Sequence, residues 1–227
     1  MLYYPPHSIA DTTIASILIA QENNYFHIRQ IIKFPDSTTF PKINIWLFRD
    51  SVEKYKKTHT RSSAHSLQEY WSEYCVVGNA RGAHETAHLL INRLWGDPVS
   101  QKYRFLLDEG FSIYCDEARF IQLGLKIECS EAMLDRKYTI RSVIADSSDS
   151  LDLQKKSIIT GTFIKYLIES YGIEKFSILW KTAQEEETIF QRIYSRSQRK
   201  LEKGFMLFLQ GEPRRLMNPN RSIEGKG

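Results

Sequence analysis

Residues 84–88 read His-Glu-Thr-Ala-His. Histidines at i and i+4 of an α-helix lie about 40° apart around its axis, so both imidazoles can reach one ion at about 2.0–2.1 Å. The glutamate beside the first histidine then faces an open position on that ion. There it can take a proton from a water and later deliver it to a leaving amine. The residue types and their spacing are those of metal-assisted hydrolysis.

Such a site needs a helix that holds both imidazoles at a wall. On a helical wheel Ala83, Ala87, Leu90, Ile91, Leu94 and Trp95 share one apolar arc, and Glu85, Thr86, Asn92 and Arg93 share the wetter side. His84 and His88 fall on the seam. Gly96 and Pro98 predict the helix end. Catalytic zinc centres usually take three protein ligands and leave a position for water. The metzincin pattern, with Gly at position 91 and His at 94, is excluded by Ile91 and Leu94. The next helix, starting near Tyr103, places Glu109 among Phe105, Leu106, Ile113 and Phe120. An unpaired carboxylate on such a stripe costs several kcal/mol or takes up a proton, and a cation removes that cost. Asp108 falls on the polar side with Ser112 and Arg119, so Glu109 is the expected ligand. Asp116, on the Glu109 face, is a candidate to orient a ligand histidine through its other ring nitrogen, the alternative being a solvated helix carboxylate. The competing readings for the motif are a surface helix with two solvated histidines and a salt bridge from Glu109 to a nearby Lys or Arg.

His84-Glu-Thr-Ala-His88 followed by Asp108-Glu-Gly-Phe-Ser-Ile-Tyr114 resembles the gluzincin pattern of the peptidase MA-like metallopeptidases. There, the HExxH helix is followed by a Glu-Gly-x-x-x-Tyr helix that supplies the third zinc ligand. Gly161 to Gly172, Ile189 to Tyr194, and Leu201 to Leu209 resemble the helices that follow the site in that family. The strand Ile43 to Phe48 stands where the family has an edge strand. The resemblance implies a zincin-like α+β domain with Zn²⁺ on His84, His88 and Glu109, and Glu85 as general base and then general acid. The substrate would be a peptide bound as an extended strand along the edge strand. One departure stands out. Relatives often carry a Tyr, placed to hydrogen-bond the oxyanion, where this chain has Ser157-Ile-Ile-Thr160. A missing donor of this kind costs roughly 10²–10³ in rate. Tyr166, Tyr171 and Ser157 are the substitutes within reach, although Tyr on such a helix more often packs in a core.

The remaining sequence bounds this reading. The chain has 227 residues, 42% hydrophobic and 26% charged, enough for a sizeable core. Asp11 to about Phe34 has a helical period, Pro35 to Pro41 reads as a turn, and Ile43 to Phe48 and Glu73 to Val77 read as strands. A short basic helix at Ser51 to Lys57 and a polar loop from Thr58 to Ser66 lie between the strands. From Gly82 onward the pattern is helical, with breaks at Gly96, Gly124, Ser147 to Ser150 and Gly172. The expected architecture is therefore α+β and mostly helical. One domain spans 1–210, with a mixed lobe at 1–95, a helical lobe at 96–210, and a basic flexible tail at 211–227. The net charge is +4. Nine basic and three acidic residues fall between Arg192 and Gly227, so the charge belongs to the closing segment and gives no reason to expect a nucleic-acid partner. No stretch approaches the roughly 18–20 apolar residues of a membrane span. The start lacks the pattern of a secretory signal, and three unpaired Cys (Cys75, Cys115, Cys129) favour a reducing, cytoplasmic setting. The leading expectation is a zinc peptidase. The alternative is a zinc-bearing but catalytically weak scaffold that binds a peptide or protein partner.

Overall fold

The computed structural model describes residues 1–4, 11–34, 42–62, 64–67, 73–77, 80–116, 125–134, 138–145, 151–183 and 188–211. Their architecture is a small four-stranded sheet backed by helices, and most of the described residues are helical. The strands are β1 (Leu2–Tyr3), β2 (Asn44–Phe48), β3 (Ala64–Leu67) and β4 (Glu73–Val77), in the order β1-β2-β4-β3. β2 runs parallel to β1 and β4, and β3 pairs antiparallel with β4, with Ser66 opposite Tyr74 and His65 opposite Cys75. Two expectations need correction. The strand at Ile43 to Phe48 is not an edge, because β1 pairs on its free side. Part of the polar loop expected at Thr58 to Ser66 is instead the edge strand β3. Two residues of β1 and four of β3 are too short for an alternating pattern to register.

Alternation places the sheet on its helices. Ile45 and Leu47 of β2 and Tyr74 and Val76 of β4 are buried together against Ile17 and Leu89. Ile17 belongs to α1 (Asp11–Ile31), and Leu89 belongs to α3 (His84–Trp95). Between the strands, α2 (Ser51–Thr58) is capped by Asp50, whose side chain accepts from Glu53 N at 2.8 Å. The expected apolar arc of α3 is fully buried at Ala87, Leu90 and Ile91. Gly96, at φ 76°, ends the helix as anticipated, its N–H reaching Asn92 O.

The larger core lies beyond α3. After α4 (Gln101–Arg104) the chain passes through one wide π turn, Phe105–Glu109, into α5 (Gly110–Cys115). Two short helices, α6 (Leu125–Leu134) and α7 (Ile140–Ala145), precede α8 (Leu153–Tyr171), and α9 (Ile173–Thr182), α10 (Ile189–Tyr194) and α11 (Gln198–Leu209) follow. Asp152 caps α8 by accepting from Lys155 N at 2.9 Å, and Gly172 at φ 90° ends it. α8 crosses α5 at two glycines. A Cβ on Gly110 would lie 2.8 Å from Ile164 Cγ1 and 3.1 Å from Thr160 O, and one on Gly161 would overlap Ile113. Only residues without a Cβ permit this approach, which presses α8 against the segment carrying Glu109. Trp180 Nε1 donates to Gly96 O at 2.7 Å and ties α9 to the end of α3. Among the described residues no helix is long and apolar enough to cross a membrane. The turn at Pro35 to Pro41, the breaks at Gly124 and Ser147 to Ser150, and the tail from 212 lie outside the described residues.

Candidate metal centre

The first turn of α3 has no side-chain cap of its own. Asp116 replaces it from the end of α5, its Oδ1 accepting from Ala83 N at 3.0 Å. The preceding loop is held by α1. Gln21 Nε2 donates to Ala80 O and Gly82 O, Asn24 Nδ2 donates to Arg81 O at 2.9 Å, and Thr86 Oγ1 donates to Gln21 Oε1 at 2.7 Å. The helix that begins at His84 is thus fixed by two neighbours.

His84, His88 and Glu109 converge. Their Nε2, Nε2 and Oε2 atoms stand 3.2, 3.5 and 3.6 Å apart. An ion holding such donors tetrahedrally at about 2.0–2.1 Å spaces them about 3.3 Å apart. The triangle therefore has the size of a zinc-type ligand set, and two imidazoles with one carboxylate suit zinc chemically. Among the described residues this is the only cluster of three His, Cys, Asp or Glu that could hold an ion. Each of the three is only partly exposed, at 22%, 12% and 28% of its side chain.

Asp108, and not the candidate Asp116, faces a ligand histidine. Asp108 Oδ1 lies 2.6 Å from His88 Nδ1, while Asp116 accepts from Ala83 N and, among the described residues, makes no hydrogen bond to a histidine. The wheel that placed Asp108 on a polar side assumed 100° per residue. Across Phe105–Glu109 the π turn closes i→i+5 bonds and winds less per residue. It brings Asp108 and Glu109 together onto the α3 side. Asn92 completes the arrangement, its Nδ2 donating to Asp108 Oδ1 at 3.1 Å and to His88 O at 2.9 Å.

The charges of the metal-free centre are tightly coupled. Burial alone lowers the His88 pKa, but Asp108, Glu109 and Glu85 more than reverse this and push it up to about 10. Burial alone raises Glu109, and the two imidazoles overturn that and hold its carboxyl well below the usual range. Glu85 is raised, chiefly by burial, with Glu109 adding to the shift and the histidines opposing it.

A cleft of about 920 Å³ opens over these groups. α3 contributes His84, Glu85 and His88 to it, β3 runs along one side, and the first turns of α8 bring Leu153, Gln154 and Ser157. Of the substitutes weighed for the missing tyrosine, only Ser157 lines the cleft. Tyr166 is 1% exposed among Phe163, Phe205 and Phe208, and its hydroxyl meets that of Tyr171 at 3.2 Å. Two features carry no sequence signal. His65 lies on the unforeseen β3. Lys54, on the short basic helix α2, is fully buried with Nζ on Ser62 O at 2.8 Å. In comparisons with known proteins, no family model matches the chain, and no curated protein or solved structure matches it.

Proposed function

We propose that this protein is a zinc-dependent peptidase of gluzincin type built on a zincin-like fold, with His84, His88 and Glu109 as the zinc ligands. The observation that carries the reading is the donor triangle of 3.2, 3.5 and 3.6 Å at the floor of a cleft that also contains Glu85. Bound there, zinc supplies Lewis-acid polarisation of a carbonyl and a more acidic water. The rest is the work of the chain. Glu85, with its pKa raised by burial, is suited to take a proton from water at neutral pH and to give it to the leaving amine. Asp108 holds His88 by its Nδ1 and leaves Nε2 for the ion. Among the described strands β3 ends the sheet beside the cleft, and its outer backbone groups could pair with an extended peptide.

Zinc content after chelator-free purification tests the ligand set, and less than about half an equivalent counts against it. Glu85→Gln should retain zinc and lose hydrolysis of an unstructured peptide pool. If that variant cleaves like the parent, Glu85 does not have this role.

A second reading rests on the tyrosines, since neither Tyr166 nor Tyr171 reaches the cleft. In it the protein holds zinc but serves as a peptide- or protein-binding scaffold with little turnover. Chelator-sensitive cleavage of the peptide pool favours the enzyme, and saturable binding without cleavage favours the scaffold.

A further inference from the structure

Hydrolysis of an amide needs more than a base. When water adds to the carbonyl carbon, its proton passes to Glu85 and the π pair of the C=O bond moves onto oxygen. When the C–N bond breaks, that pair returns, and the proton on Glu85 goes to the leaving nitrogen. Between these events the oxygen carries a negative charge. A hydrogen-bond donor fixed beforehand at that oxygen, in a wall shielded from water, stabilises the charge most.

The described side-chain donors of the cleft wall, apart from the centre itself, are Ser62, His65, Ser66, Tyr74, Gln154 and Ser157. The Tyr74 hydroxyl is sealed inside the wall. His65 pairs with Cys75, on the sheet face opposite the one Tyr74 presents to α1 and α3. Ser62 and Ser66 belong to the edge segment along which an extended peptide would lie. Gln154 is solvent-exposed on the first turn of α8.

Ser157 is different. It is only 6% exposed, it lines the cleft with His84, Glu85 and His88, and among the described residues its hydroxyl has no hydrogen-bond partner. A helical Ser or Thr usually turns its hydroxyl back onto a carbonyl of the preceding turn. Thr160 and Thr162 on the same helix do so, donating to Ser157 O at 2.9 Å and Ile158 O at 2.7 Å. Ser157 does not, so its hydroxyl, on a residue only 6% exposed, is left for whatever occupies the cleft. The helix that carries it is closely packed. One turn further along α8, Thr160 and Gly161 sit in the close crossing with Gly110 and Ile113, immediately after Glu109. The positive end of the 19-residue helix dipole falls on the same wall.

We propose that Ser157 is the hydrogen-bond donor to the scissile carbonyl oxygen, in place of the absent tyrosine. This rests on the peptidase reading above. The test compares zinc-loaded parent, Ser157→Ala and Ser157→Cys by zinc content, thermal midpoint, kcat and KM on a cleaved peptide, and the Kd of a phosphinic pseudopeptide that mimics the tetrahedral state. Both variants should keep zinc and the parental midpoint. In both, kcat should fall about 10²-fold with KM within about twofold, and the phosphinic Kd should weaken by a similar factor. Cysteine keeps the size but donates weakly, so a packing role would leave Ser157→Cys near the parent. Parental kcat and phosphinic affinity in Ser157→Ala would overturn the assignment while leaving the peptidase intact. If the zinc-loaded parent neither cleaves peptides nor binds the phosphinic compound, the peptidase reading itself fails and this inference falls with it.

Discussion

His88 Nδ1 and Asp108 Oδ1 stand 2.6 Å apart, and Asn92 Nδ2 reaches the same carboxylate oxygen at 3.1 Å. The short contact makes Nδ1 the donor and sends the lone pair of neutral His88 through Nε2 toward His84 and Glu109. Asn92, which also holds His88 O, keeps the carboxylate in register with the helix it serves.

Removing that carboxylate should therefore act directly on the metal. Asp108→Ala is expected to weaken zinc affinity by about 10–100-fold in a chelator competition. An unchanged affinity would show that His88 needs no such partner.

The same contact sets a pH dependence for the chelated protein. His88 has an ordinary pKa near 6.5, which the metal-free fold raises to about 10. Protonated His88 thus binds its proton more tightly folded than unfolded. Its stabilising contribution is complete below about pH 6.5 and is lost as pH rises through about 10. Glu109 works in the opposite sense, since its folded pKa is depressed. Its contribution is present above the ordinary carboxylate range and is lost as pH falls well below it. Urea unfolding of the chelated protein should show a midpoint that falls between about pH 7 and 10. Zinc binding near pH 7 should release a proton, read by calorimetry in buffers of different ionisation enthalpy. A flat midpoint with no proton release would contradict the proton on His88.

Much of this centre was legible beforehand, and what was not has a specific cause. The convergence of His84, His88 and Glu109 follows from the sequence because the helix at 84–95 is regular, and because a carboxylate on an apolar stripe demands a partner. Gly96 and Gly172 stop helices where expected because their positive φ is a property of glycine itself. Asp108 was hidden by the π turn, for which the Phe-Leu-Leu-Asp-Glu sequence carries no marker. β3 was hidden because Ala64 to Leu67 takes its strand geometry from pairing with β4 rather than from its own pattern. The burial of Lys54 has no sequence marker because it depends on Ser62 O, a backbone partner that composition cannot reveal.

The crossing of α5 and α8 gives a stability prediction. Gly161 lies where a methyl group would overlap Ile113, a fully buried neighbour. Gly161→Ala should destabilise by about 1–3 kcal/mol through overpacking, despite the better helix propensity of Ala. A stability equal to or above the parental value in urea titration would show that the helices can separate at no cost.

Asp108 and Asp116 serve different partners, His88 Nδ1 and Ala83 N, and can be told apart by substitution. Among the described residues Asp116 makes no hydrogen bond to a histidine, but its Oδ1 satisfies the Ala83 amide at the start of α3, and that amide has no other cap. Loss of an N-terminal cap generally costs about 0.5–2 kcal/mol. Asp116→Ala should therefore lower the unfolding free energy by that amount. Its effect on zinc affinity should be smaller than that of Asp108→Ala, because the donor triangle and the His88–Asp108 contact remain. Measured side by side, chelator competition should single out position 108. Denaturant unfolding of the metal-free proteins should show the capping loss at position 116. If Asp116→Ala instead produced the larger loss of zinc affinity, Asp116 rather than Asp108 would be the carboxylate that positions the ligands, as the regular helical wheel had suggested.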